Sequence, residues 1–421
     1  MNPNEPSGTG EPAASVLGQL GVLLLDAGFS VTDVRVALHR AAQSSGIVGL
    51  SYSVFPDLVI VSNARSGAGT VVLPRVAELT FRQAARANLL SQKLESGDVL
   101  LGDIPEHIAW IREMPRSHAS LYWTLGSALV GGGLAVLFRC PWWAILSSIV
   151  VGASVGLVTT HLNRRSATAS IVPFVSAFAS TTVVGVLAEL FGFGHVPLYA
   201  VCAPVAILVP GALITNALLE LTAQDVVTGS ARLSFGLIQL GFMIAGIAAG
   251  ASITGLALDP GSAALVGQVA RVSATNPGWQ AIPPLWFSWI GVAILAAGVG
   301  LAFGSGRKLI LVSVAVMTCT YAVLITLTPF TGSTFATGAT AAVLFIGASA
   351  LEQFLLAVPA PVSFQPAFLL LVPGTVGLVA LTTFDTEALL SALKTFASLC
   401  IGIKVGAMLA EIALPSAGKN R

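Results

Sequence analysis

Between residues 121 and 413 the chain offers one apolar run of about twenty residues after another, with almost no charge to interrupt them. A helix rises about 1.5 Å per residue, so a run of that length crosses a hydrocarbon layer of about 30 Å with every backbone group paired internally. Ten such runs are expected: 121–138, 141–160, 170–191, 196–219, 234–257, 285–304, 308–328, 334–357, 361–382 and 388–413. Only 9% of the 421 residues are charged, against about 25% in an average soluble domain, and mean hydropathy is +0.87. The expected fold class is an α-helical polytopic membrane protein, embedded in a lipid bilayer and preceded by a small α+β domain.

The basic residues are placed unevenly. With the amino terminus cytoplasmic, sixteen Lys and Arg fall on that side, nine of them before residue 121. Arg139, Arg271 and Lys394 fall on the other. Short cytoplasmic segments carry such an excess, so a multi-pass protein of the cell (inner) membrane with both termini cytoplasmic is expected. Residues 1–15 lack both Lys/Arg and an apolar core, and read as a disordered tail rather than a signal peptide. The organisation expected is a head over 16–120, five spans over 121–257, a linker over 258–283, five spans over 284–413 and a tail over 414–421.

Val-Pro-Gly occurs in the fourth run (209–211) and again in the ninth (372–374), 163 residues apart. Pro removes a donor and Gly weakens a helix, so each site interrupts a membrane helix. Five spans per half is an odd number, so the second half enters from the opposite face and the repeat is inverted. Interrupted helices at matching places in inverted repeats point to a binding site near the membrane midplane. The freed backbone groups must then face protein or a wet cavity. A kink that only improves packing is the competing reading.

Pro210, Gly211, Thr215, Asn216 and Glu220, with Pro373 and Gly374 in the second half, are the candidate substrate-binding residues. Asn216 and Glu220 are four apart and share a helix face, and together they offer an acceptor for an ammonium and a donor for a carboxylate. Asp225 and Arg232 follow toward the cytoplasmic face as gating or interfacial charges, or as a simple helix-end ion pair. Glu352 and Lys404 lie deep in apolar runs, where ionisable groups are expensive. Glu352 is the candidate proton carrier with Lys404 its counter-charge, although a structural pair is an equal reading. Small-residue runs at 126–133, 150–156 and 337–342 suit close helix contact.

In the head, residues 16–46 carry apolar positions at helical spacing, broken at Gly28, with Ser30 or Thr32 capping a second helix. LSYSVFPDLVIVSN (50–63) reads as a hairpin around Pro56-Asp57, residues 71–74 as a third strand, and residues 75–97 as a helix ended by Gly97. His39, His107 and His118 belong to no catalytic or metal-binding arrangement, and no phosphate loop is present, so neither an enzyme nor an ATP-driven pump is expected. The four cysteines lie far apart and read as small apolar side chains; no cofactor or metal is expected. A net charge of +1 argues against nucleic acid as a partner.

LGQLGVLLLDAGFSVTDVRVALHRAA (17–42) and LSYSVFPDLVIVS (50–62), followed by LVPGALITNALLELTAQDVVTGSARL (208–233), resemble the threonine/serine exporter family (ThrE-like). The order of VPG-x-x-x-T-N and D-x-x-x-G-x-x-R carries the likeness, and the carboxyl half matches weakly. The resemblance implies a cytoplasmic head and ten spans, with efflux of threonine, serine or similar small polar metabolites driven by the proton motive force. Two-chain relatives point to dicarboxylates such as succinate as the alternative cargo. Glu220 stands where the family pattern has an aspartate, which keeps the charge and lengthens its reach. A passive facilitator, a hydrolase with the chemistry in its head, and a sensor whose head docks a cytoplasmic partner are the other classes. Gating, homo-oligomerisation and docking all fit the head.

Overall fold

The computed structural model of the chain describes residues 10–63, 67–74, 79–115, 118–162, 171–259, 283–284, 286–354, 367, 370–371 and 386–413. It is predominantly helical, and its contacts divide it into two compact units. The first comprises Met1–Arg116, Thr215–Leu233 and Leu351–Val362; the second comprises Ser117–Ile214, Ser234–Ala350 and Ser363–Arg421.

In the first unit, α1 (Gly10–Asp26) and α2 (Val31–Ser44) are separated by Gly28, whose φ of +88° takes the chain through the left-handed region. Of the two capping residues the sequence offered, Ser30 does the capping: its hydroxyl accepts the Asp33 N–H at 3.2 Å. β1 (Leu50–Phe55) and β2 (Leu58–Asn63) form the hairpin around Pro56-Asp57, and β3 (Gly69–Val72) adds antiparallel to β2. Alternate residues Tyr52 and Val54 on β1 face Val61 and Val59 on β2, and all four are buried. α1 and α2 cover this face, with Leu17, Leu20, Leu24 and Leu38 fully enclosed. α3 (Phe81–Ser96) starts at a Thr80–Gln83 capping box, and Gly97 in the left-handed region ends it. α4 (Ile104–Arg112) closes the layer, and Arg112 ties it to Asp26 at 2.6 Å.

The second unit contains α5 (Ala119–Leu137), α6 (Trp142–Leu162) and α7 (Val172–Leu190). Next come β4 (His195–Pro197), the short α8 (Leu198–Cys202), a 3-10 helix (Ala203–Leu208) and α9 (Gly211–Thr222). α9 begins in this unit and ends in the first. α10 (Val226–Thr254), β5 (Ala257–Asp259), α11 (Phe287–Ala302), α12 (Arg307–Phe354) and α13 (Thr386–Ala413) follow. β4 and β5 pair in parallel. Among the described residues six helices are long and apolar enough to cross a membrane, or seven if Leu198–Leu208 with Gly211–Thr222 is one bent span.

Several boundaries differ from the sequence reading. α10 starts at Val226 rather than 234, because its polar first turns find partners there, described below. α11 has only 16 residues, about 24 Å by helix rise. The seventh and eighth runs form helix without a loop between them; only Gly332, at φ 77° and ψ 160°, leaves helical geometry. That conformation is essentially confined to glycine, so the interruption sits there rather than at Pro329. The ninth run, with Val372-Pro373-Gly374, and the linker over 260–282 lie outside the described residues, apart from positions 367, 370 and 371.

The small-residue runs do place helices in contact. A Cβ on Gly126 would lie 2.7 Å from the Gly298 carbonyl oxygen, and one on Gly298 would lie 3.0 Å from that of Gly126. Gly133 and Gly291 meet in the same reciprocal way, at 3.0 and 2.9 Å. Gly126 with Gly298 and Gly133 with Gly291 make α5 and α11 antiparallel, and the pattern is self-complementary: each glycine of one helix faces the other helix's counterpart. Gly126 and Gly133 recur 165 residues later as Gly291 and Gly298, within LGSALVGGG and IGVAILAAG. α6 joins through Gly152 against the Ser127 carbonyl, and α12 and α13 meet at Gly338 and Gly402.

Candidate functional site

The fourth run is broken where Val-Pro-Gly predicts. A residue before proline is pushed out of the helical region, and Val209 is extended at φ −64°, ψ 123°. The 3-10 helix stops there and α9 restarts at Gly211, with the two pieces bent 68° apart. Within the second unit, α5, α6 and α7 pack around the 3-10 piece. Ser180 of α7 donates to the Val201 carbonyl at 3.0 Å. The hydroxyls of Ser148 on α6 and Ser176 on α7 are buried and have no hydrogen-bond partner among the described residues.

Following α9 leads into the first unit. The helix ends in a Schellman turn: Asp225 N–H reaches the Glu220 carbonyl at 2.9 Å and Gln224 N–H that of Leu221 at 3.1 Å. Gln224 adopts φ +67°, where glycine is usual. This turn sends α10 back along α9. A Cβ on Gly229 would sit 2.7 Å from the Ala217 carbonyl oxygen, so only glycine permits the approach that carries Arg232 to Glu220. The spacing D-x-x-x-G-x-x-R thus encodes a tight elbow.

The elbow receives the start of α2. Oε1 of Glu220 accepts from Arg232 Nη1 at 2.6 Å and from the Val31 N–H at 3.1 Å. The first N–H groups of a helix have no partner inside it and form its positive pole, so the carboxylate completes α2. Glu220 is wholly buried, and its Oε2 has no partner among the described residues. Asp225 accepts from Arg35 Nη2 at 2.6 Å and from the Thr32 hydroxyl at 2.6 Å. Asn216 Nδ2 donates to the Gly28 carbonyl at 3.2 Å. Four residues singled out from the sequence, Asn216, Glu220, Asp225 and Arg232, are therefore brought together by residues 28–35 of the head.

The remaining candidates fall elsewhere. Thr215 is buried with its hydroxyl unpartnered among the described residues. Lys404 is half-buried on α13, and Glu352 lies in the last turn of α12 with its side chain outside the described residues. Pro373 and Gly374 lie outside them as well. The roles of Gly28, Val31, Thr32 and Arg35 as partners of the elbow were missed, because nothing local marks a backbone group or a half-buried arginine as the partner of a side chain about 190 positions later. Among the described residues no group of His, Cys, Asp and Glu is placed to hold a metal ion.

Burial alone would raise the Asp225 carboxyl, but the hydrogen bonds from Arg35 and Thr32 and the Arg35 charge outweigh it and hold the group below the usual carboxylate range. A carboxyl lowered on folding adds stability above its unfolded value, about 3.9, and that stability disappears as pH falls through the lower folded value. Asp225→Asn should therefore lower thermal stability by a constant amount near neutral pH. A pH series of unfolding midpoints should show the gap between mutant and wild type closing only well below about pH 4.

The family model described as "Putative threonine/serine exporter" (ThrE) matches residues 15–254, more than half of the chain and the stretch that holds the head, the bent span and the elbow. The threonine/serine exporter of Corynebacterium glutamicum is 23% identical over 253 residues, which cover 57% of this chain and 51% of that protein. The matched stretch thus spans about half the length of that relative. No solved structure matches the chain. The head-and-elbow residues and the bent span lie within the matched region, and the chain belongs to the ThrE threonine/serine exporter family.

Proposed function

We propose that the protein is a secondary exporter of small polar metabolites, threonine and serine first among them, driven by protons across the cell (inner) membrane. The observation that carries this reading is the 68° break at Val209-Pro210-Gly211. The break lies beside α6 and α7, whose Ser148 and Ser176 hydroxyls are buried with no hydrogen-bond partner among the described residues. Polar valences without partners are costly in such surroundings unless something polar visits them. A hydroxy amino acid supplies matching donors and acceptors.

The self-complementary α5–α11 contact supports two inverted halves working against each other. The glycine pair recurs at 165 residues and Val-Pro-Gly at 163, so both features share nearly one offset. Cargo would be held along α9 by Pro210, Gly211, Thr215, Asn216 and Glu220, and in the second half by Pro373 and Gly374. Asn216 and Glu220 are engaged by Gly28 and Val31, so cargo reaching them must displace the head. Glu352 would carry the coupled proton, with Lys404 as its counter-charge.

Purified protein in liposomes loaded with labelled threonine, serine or succinate tests this. Efflux of threonine and serine should rise with an imposed pH gradient, and Glu352→Gln should lose that dependence while keeping exchange. Flux indifferent to the gradient in wild type would make the protein a passive facilitator. Preference for succinate would reassign its cargo to dicarboxylates.

A further inference from the structure

We infer that Glu220 is a proton-operated latch that fastens the amino-terminal head to the α9–α10 elbow. One atom, Oε1, holds both partners: Arg232 on α10 and the Val31 N–H at the start of α2. The other oxygen, Oε2, is enclosed and empty-handed among the described residues, which leaves a place for a proton on a carboxylate that is already holding the joint.

Both Oε1 bonds depend on the negative charge. Hydrogen bonds to an ionised acceptor are roughly twice as strong as neutral ones, and the attraction of the α2 amino-terminal pole is for an anion. A proton on Oε2 removes that charge, leaves Arg232 facing a neutral acid and weakens the grip on Val31. The charged groups around Glu220 are Arg232 on α10, Asp225 in the turn, and Asp33 and Arg35 on α2. Asp225 and Asp33 oppose the carboxylate, while Arg232 and the Val31 N–H sustain it; Arg35 is spent on Asp225. Asp225 has its own pair in Arg35 and Thr32 and keeps its charge to lower pH. The joint therefore contains one contact that a proton releases and one that persists.

The latch goes beyond the proposed function, and its direction rests on that reading. In an exporter that exchanges cargo for protons, a proton arriving at Glu220 frees the head, and its departure closes the head again over Asn216 and Glu220. Head release itself can be measured without transport.

Amide hydrogen exchange on the full chain in lipid nanodiscs, corrected for intrinsic pH dependence, reads it. Between about pH 8 and a mildly acidic pH, exchange over residues 31–38 should quicken about tenfold in wild type, the scale of one lost hydrogen bond to a charged group. Glu220→Gln should be fast at both pH values. Asp225→Asn should keep the step, since its own titration lies lower. Should Glu220→Gln fold poorly, Glu220→Asp keeps the carboxyl and should retain the step at a shifted midpoint. Exchange without a pH step in wild type, or a wild-type step in Glu220→Gln, overturns the latch. An intact step in protein that moves no amino acid removes the exporter reading and leaves the latch standing.

Discussion

Arg232→Ala is expected to destabilise the joint of head and elbow by about 3–5 kcal/mol near neutral pH, the usual effect of removing one partner from a buried ion pair. The pair is 2.6 Å long, with Arg232 12% and Glu220 0% exposed, so the carboxylate itself has no direct access to solvent. Removing the cation strands a carboxylate that still accepts one N–H from Val31 and leaves Oε2 unmet. The carboxyl can escape by taking up a proton, so the penalty should shrink as pH falls. Replacing both residues by leucine should cost much less than Arg232→Ala alone, because no buried charge remains and only the Val31 N–H loses its acceptor. Thermal unfolding in detergent across a pH series, for wild type and the single and double variants, measures this. Equal losses in the single and double variants would mean that packing, not charge, holds the elbow.

The second large effect is expected where α5 crosses α11. Gly298→Ala places a methyl 2.8 Å from the Val130 backbone nitrogen and 3.0 Å from the Gly126 carbonyl oxygen, and neither can swing aside as a side chain does. The helices must separate, and separation breaks the matching contact at Gly133 and Gly291. Overpacking a tight core costs roughly 1–3 kcal/mol; a backbone-to-backbone clash belongs at the upper end, and Gly298→Leu beyond it. The control is Gly241→Ala on α10, where the added methyl meets nothing within 4 Å. That substitution should be neutral or slightly stabilising, since alanine favours helix by about 1 kcal/mol over glycine. The fraction of monodisperse protein on size exclusion and its unfolding midpoint should fall for Gly298→Ala and hold for Gly241→Ala. Tolerance of Gly298→Leu would show that the two helices are not locked by this contact.

These two expectations address different physics. At the elbow the risk is an unpaired charge, which a proton can relieve. At the α5–α11 crossing it is volume, and pH should not alter it. A stability loss at Gly298 that varied with pH would mean that the crossing and the head do not act independently.

The sequence by itself determined what each segment is. Runs of apolar residues made the spanning helices, since a backbone in lipid must pair with itself. Pro56-Asp57 turned the hairpin, Gly28 with Ser30 separated two helices, and Val209-Pro210-Gly211 bent the fourth run; each is a local property of φ, ψ and donor count. Only the tertiary structure decided what the polar residues beyond the bend are for. Asn216, Glu220 and Asp225 meet partners 188–193 residues earlier in the chain, and two of those partners are a backbone carbonyl and a backbone N–H that every sequence contains. Glycine spacing was visible in α5 and α11, but its reciprocity needed both helices in place, because close approach is a property of a pair of surfaces and not of either one.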